Sequence, residues 1–186
     1  MAEGQRTQLG DLLTNAKGGK FLPLRGPDGA APCWRSPDWL KIIWHPAAFG
    51  DQEARRVNVC FEPDAPTVEF FEGLEHELVN LLAAKSAQEP KAFGKTLAAS
   101  DVQARVQSCL KASQRGGSFL KAKLNWDRVR FWDADGQPLE SPGDLAGRLA
   151  KVRVELRQVW LMSPQCGLLL EVTDLQLREA APECPF

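Results

Sequence analysis

The sequence predicts a mainly β or α+β fold: an antiparallel sheet or barrel with two helices inserted in its middle. Three observations carry this. Apolar and polar residues alternate with period two on both sides of the chain's centre. One central stretch switches to a period of three and four. The links between predicted strands are too short to hold crossover helices, so the strands should run antiparallel.

Residues 1–19 are polar and glycine-rich, which predicts a flexible arm. Residues 20–24, "KFLPL", suit a first short strand, and 25–32 is turn chemistry built on proline and glycine. The tryptophan-dense 33–46 follows, with a strand expected over 40–44. In 55–62, Val57, Val59 and Phe61 share one face, and Asn58 and Cys60 share the other.

Val68, Phe71, Leu74, Leu78, Leu81 and Leu82 predict an amphipathic helix over about 67–86, with Pro66 in its first turn and Glu69 and Glu72 near its positive end. After the Phe93-Gly94-Lys95 loop a second helix is expected over 100–114. Ser100 would cap it, Val102, Val106, Cys109 and Leu110 would form its stripe, and Gly116-Gly117 would stop it. Strands return at 118–125 and 128–132, with a turn at 133–136. The last hairpin runs from Lys151 to Leu177 and breaks at 163–167. There Trp160 shares parity with Val152, Val154 and Leu156, which predicts an inward ring whose loss would cost about 3–5 kcal/mol. Gly167 is expected to hold a backbone angle that a side chain would resist. The domain reading is an arm at 1–19, one domain over 20–177 and a tail at 178–186.

With 186 residues, 44% hydrophobic and 25% charged, the chain has room for one domain with a substantial core. No run is long and apolar enough to span a bilayer, and no membrane association is expected. Five cysteines without a CxxC pair suit reduced thiols in an intracellular, reducing compartment. With only His45 and His76, a Cys/His zinc site is not expected. Asp133, Asp135 and Gly136 echo the start of a calcium loop, but no glutamate follows at the required spacing, so a hairpin turn is the reading. No nucleophile elbow, phosphate loop or paired-carboxylate motif appears. Neither catalysis nor a metal or cofactor is expected.

A formal net charge of −1 speaks against a polyanion ligand, but its distribution does not. Residues 101–160 hold eleven Lys/Arg against seven Asp/Glu, while 62–77 holds six acids and no Lys or Arg. In 118–125, Leu120, Ala122 and Leu124 face one way and Phe119, Lys121 and Lys123 the other. In 128–132, Val129 and Phe131 oppose Arg128, Arg130 and Trp132. Cations beside an aromatic ring are what a single-stranded nucleic acid needs: bases stack for about 1–3 kcal/mol each and phosphates meet the charges. On this reading the four cations contact phosphates while Phe119 and Trp132 stack bases, the two strands lying side by side. A solvated sheet face with a stray tryptophan is the competing reading. Trp34, Trp39 and Trp44 suit core packing better than stacking.

In chain order, "VEFFEGLEHELVNLLAAKS", "AFGK", a second helix, "SFLKAKL", "VRFWDADGQPL" and "VWLMSPQCGLLLEVTDLQL" resemble the single-stranded DNA-binding proteins of large nucleocytoplasmic DNA viruses. That group is itself similar to the single-stranded DNA-binding proteins of the T-odd phages. The resemblance covers about residues 55–177, and its distinctive part is the order of the blocks. It implies an OB-fold barrel that coats single-stranded DNA in replication, recombination or repair, in the nucleus or at a viral replication site. Lys95 of the Phe93-Gly94-Lys95 loop, and Arg153 and Arg157 on the strand face opposite Trp160, complete the expected nucleic-acid-binding set. The resemblance also implies a tail, ending in Pro185 and Phe186, that docks replication or repair proteins; a homodimer is compatible with it. With Glu179 and Glu183 its only acids, the tail here is less acidic than that pattern. The alternatives are an OB-fold protein-interaction module that has lost DNA binding, and a single-stranded RNA-binding protein.

Overall fold

The computed structural model describes residues 7–47, 55–114 and 116–180. In chain order the elements are β1 (Gln8–Leu9), β2 (Leu13–Thr14), β3 (Lys20–Arg25), β4 (Cys33–Arg35), β5 (Leu40–Ile42) and β6 (Arg56–Glu62). Next come α1 (Ala65–Gln88), α2 (Pro90–Phe93) and α3 (Ala99–Gln103). Then follow β7 (Val106–Gln107), β8 (Leu110–Ala112), β9 (Ser118–Asn125), β10 (Arg130–Trp132), β11 (Leu149–Met162) and β12 (Gln165–Arg178). The fold is mostly β with helices in the middle, as expected, but the all-antiparallel expectation is corrected. β12 pairs parallel with β7, β9 and β10, because these partners are far apart in the chain and no short link fixes their direction.

These elements belong to two compact units, each assembled from separated stretches of chain. The first draws its described residues from Met1–Cys33, Val68–Cys109 and Glu155–Leu170. In it β1 and β2 pair antiparallel with β3, so the segment read as an arm carries two short strands. β3 pairs antiparallel with β11, Leu22 opposite Val159 and Lys20 opposite Leu161. Asp64 starts α1 by accepting the Thr67 N–H at 2.9 Å, which satisfies a donor that the first helical turn leaves open. Phe71, Leu74, Leu78, Val79 and Leu82 then form its buried stripe.

The second expected helix is corrected. It begins at Ala99, after Ala98 rather than a Ser100 cap, and ends at Gln103. Competing partners take the backbone beyond: Val106–Gln107 pairs parallel with Cys166–Gly167, and Glu75 accepts the Cys109 N–H at 2.6 Å. Leu110–Ala112 then pairs with β9. Helical periodicity loses here to sheet hydrogen bonds that the segment alone cannot reveal.

The second unit draws on Trp34–Thr67, Leu110–Val154 and Glu171–Phe186. Its pairings run β11–β5, β5–β6, β6–β9, β9–β12 and β12–β10. β11 and β12 also pair with each other. Phe61, Leu120, Leu124, Val154 and Leu175 are fully buried on the inner face. Between Asp133 and Gln137 the chain makes the expected hairpin turn, closed by the Asp133 N–H on the Gln137 carbonyl and the Trp132–Pro138 bridge.

Two interruptions of the alternation matter. In β11, Leu156 and Val159 are both buried with Arg157 and Gln158 half-buried between them, so parity shifts by one residue, as across a bulge. Trp160 therefore leaves the Val152 face and is half-buried, against the expectation of an inward ring. Gly167 is corrected as well: it is not among the glycines with positive φ, and its constraint is space beside the Trp160 ring. In β12 the same shift falls between Val172 and Leu175, which turns both Thr173 and Asp174 outward.

Candidate nucleic-acid interface

The outward face of the second unit is built on β9, whose burial alternates as read from the sequence: Leu120, Ala122 and Leu124 in, Phe119, Lys121 and Lys123 out. Register fixes their neighbours. Lys111 stands opposite Phe119, Cys60 opposite Lys121, and Asn58 opposite Lys123. Trp44, 47% exposed, meets Phe119 edge-on with centroids 5.6 Å apart. One row of this surface is thus an aromatic pair, and the next two are lysines.

Lys121 and Lys123 have no ion pair among the described residues. Partial burial, and then the charges of Lys121 and Arg56, push the Lys123 ammonium below the ordinary lysine range. A group held in this way gains most from an arriving anion. Burial also raises the Cys60 thiol to about 11, with Lys121 opposing, so it stays a neutral neighbour.

β9 and β10 are not adjacent, as the sequence reading had placed them; β12 lies between, parallel to both. This brings Glu171 and Asp174 onto the face, acids that lie beyond the 101–160 window of the charge count. Glu171 accepts from Arg56 at 3.2 Å and lies 3.9 Å from Arg128. Asp174 takes Arg130 at 2.8 and 3.0 Å, the Trp132 indole N–H at 3.2 Å and the Thr173 hydroxyl at 2.9 Å. Arg153 stands 3.5 Å from the same carboxylate. Burial works to raise the Asp174 pKa, but hydrogen bonds from Arg130, Thr173 and Trp132 and the Arg130 charge outweigh it and hold the carboxyl low.

The predicted set therefore divides by commitment. Phe119, Lys121 and Lys123 are presented together. Arg128 is 61% exposed, and its 3.9 Å approach to the buried Glu171 is at the limit of an ion pair, so its outward side is open to a phosphate. Arg130 and Arg153 share one carboxylate, and Trp132 is pinned by its edge. Lys95 and Arg157 belong to the first unit rather than the second: Lys95 is exposed in the loop after α2, and Arg157 pairs with Glu155 at 2.7 Å. Pro185 and Phe186 lie outside the described residues. The tail's first two residues are anchored. Arg178 closes β12 with its guanidinium 4.2 Å from the Trp39 centroid, and Glu179 reaches Arg148 at 2.9 Å.

Sequence reasoning missed Trp44, Arg56 and Lys111 as members of this face. The three tryptophans it had grouped have separate environments. Trp34 is buried as expected, Trp39 lies under Arg178 and Lys151, and Trp44 is exposed beside Phe119. Only their tertiary neighbours separate them: β4, which holds Trp34, pairs with β11, and the other two differ by the side chains they meet.

Fold and face together define a mostly β protein that carries aromatic rings and lysines, without ion pairs among the described residues, side by side on a sheet. No family model matches the chain, and no curated protein matches it. Solved structures do match in fold. It is similar to a single-stranded DNA-binding protein of bacteriophage Enc34 in complex with single-stranded DNA, at 11% identity and TM-score 0.52, over 91% of this chain and 95% of that one. It is similar also to gp2.5, a single-stranded DNA-binding protein encoded by bacteriophage T7, at 13% identity and TM-score 0.52, over 84% and 91%.

Proposed function

We propose that this chain binds single-stranded DNA, without strong sequence preference, through the outward face centred on β9. The observation that carries the reading is the juxtaposition of the Trp44–Phe119 pair with Lys121 and Lys123. Rings supply stacking, which every base can use, and the lysines supply the phosphate attraction. The fold shared with phage single-stranded DNA-binding proteins supports it. So does the pairing cycle β11–β5–β6–β9–β12–β11, which we read as an OB-type barrel.

On this proposal the protein is a binding protein, not an enzyme, that serves replication, recombination or repair. It works in a reducing intracellular compartment, the nucleus or a viral replication site, with Pro185 and Phe186 docking partner proteins. Kinship with the nucleocytoplasmic-virus group is part of the proposal and rests on the block order over 55–177. The neutralisation of Arg130 and Arg153 by Asp174 favours one second reading, a protein-interaction module on the same scaffold. Titration of labelled oligo-dT separates the two: salt-sensitive binding that Trp44→Ala weakens supports the proposal, and no binding at low salt supports the module. Competition by oligo-U tests DNA against RNA.

A further inference from the structure

We propose that the first unit carries a pocket for an acidic peptide of a partner protein, one that presents an apolar side chain between carboxylates. The cavity measures about 290 Å³, about ten water volumes at roughly 30 Å³ each. Its floor is apolar and buried: Leu82 from α1, Leu97, and Val102 from α3. Met162, 67% exposed, stands at the wall formed by the β11–β12 turn.

The walls are fixed before any ligand arrives. Ser86 Oγ accepts the Leu97 N–H at 2.9 Å, and the Cys166 N–H donates to the Arg105 carbonyl at 3.0 Å. Two cations, Lys20 and Arg105, line the same cavity, and among the described residues no Asp or Glu does. Neither cation has an ion-pair partner among the described residues. An apolar hollow between two uncompensated cations is complementary to an apolar side chain flanked by carboxylates. A nucleic-acid strand asks instead for a track of cations along its backbone, which this short, half-open cavity with two cations does not offer.

The test uses the full chain labelled with ¹³C-methyl methionine. Met162 is one of two methionines, the other being Met1, so its methyl group is a clean reporter. The probe is the blocked peptide acetyl-Asp-Glu-Phe-Asp-Leu-Glu-amide. A saturable shift of the Met162 methyl is expected. Affinity should fall about tenfold or more when serine replaces the peptide phenylalanine, and again in the Lys20→Glu, Arg105→Glu variant. Should that variant be less stable, a peptide with lysines in place of its acids must bind it and not the parent. No saturable shift, equal binding by parent and variant, or displacement of the peptide by oligo-dT would each overturn the proposal. Oligo-dT affinity itself should be the same in parent and variant, so the pocket and the β9 face are judged separately.

Discussion

The Trp160 indole stands where a side chain on Gly167 would begin: a Cβ built there lies 2.7 Å from Cζ2 and 2.9 Å from Cε2. The two residues sit on the paired strands β11 and β12, just either side of their turn. Gly167→Ala should therefore destabilise by about 1–3 kcal/mol, the usual cost of overpacking. Because Trp160 is half-buried, Trp160→Ala should cost less than the about 3–5 kcal/mol of a core tryptophan. In the Trp160→Ala background, Gly167→Ala should lose most of its penalty. A double-mutant cycle from urea melts checks this; additive costs would mean that the close approach is not what requires glycine.

Asp174 should restrain its own face. Asp174→Asn removes the charge that engages Arg130 and Arg153, so oligo-dT affinity should rise, and the rise should be greatest at low salt. The sign for stability is opposite. The folded carboxyl has a lowered pKa, so its contribution is present above the unfolded value, about 3.9, and is lost as pH falls through the folded value. Acid melts of the wild type should show this loss, and the Asn variant should lack it. Weaker DNA binding by Asp174→Asn would show that the carboxylate instead orients Arg130 and Trp132 for binding.

Lys123 should make binding pH-dependent. Its folded pKa lies below that of ordinary lysine, so it loses charge earlier as pH rises, and a phosphate beside it would pull a proton back on. Oligo-dT affinity should thus fall with alkaline pH, sooner in the wild type than in Lys123→Arg. Protein stability moves the other way: the unfolded state binds this proton more tightly, so the penalty on the folded state is relieved as pH rises through the folded pKa. Equal pH profiles for wild type and Lys123→Arg would remove Lys123 from the interface.

Trp44 should stack. Trp44→Ala should cost about 1–3 kcal/mol of oligo-dT binding per base stacked, read by anisotropy, with little change in melting temperature because the ring is 47% exposed. Quenching of its fluorescence by oligo-dT, absent in the variant, is the direct check. A large drop in melting temperature with affinity retained would make it a packing residue.

Local pattern made β9 legible to the residue, and also the parity of Phe119, Lys121 and Lys123, because alternation needs nothing beyond the strand itself. The long helix was legible through its stripe. What depended on pairing was not. That β12 separates β9 from β10, and so carries Glu171 and Asp174 onto the face, follows from parallel register with no local mark. The parity shift before Trp160 needs one extra residue that periodicity cannot announce. The segment over 100–114 carries a helical stripe, yet its later half is taken by β9, β12 and Glu75. No linker marks the two units, because each is assembled from three separated stretches of chain.

The salt dependence of oligo-dT binding, measured for the wild type and for Lys121→Ala, Lys123→Ala, tests the central claim most directly. Each lost phosphate contact lowers the single-strand slope of log affinity against log salt by about 0.7, so the pair should lower it by about 1.4. Affinity should drop at every salt concentration while the melting temperature holds, since neither lysine has an ion pair to lose among the described residues. An unchanged slope and affinity in that variant would contradict DNA binding by the β9 face.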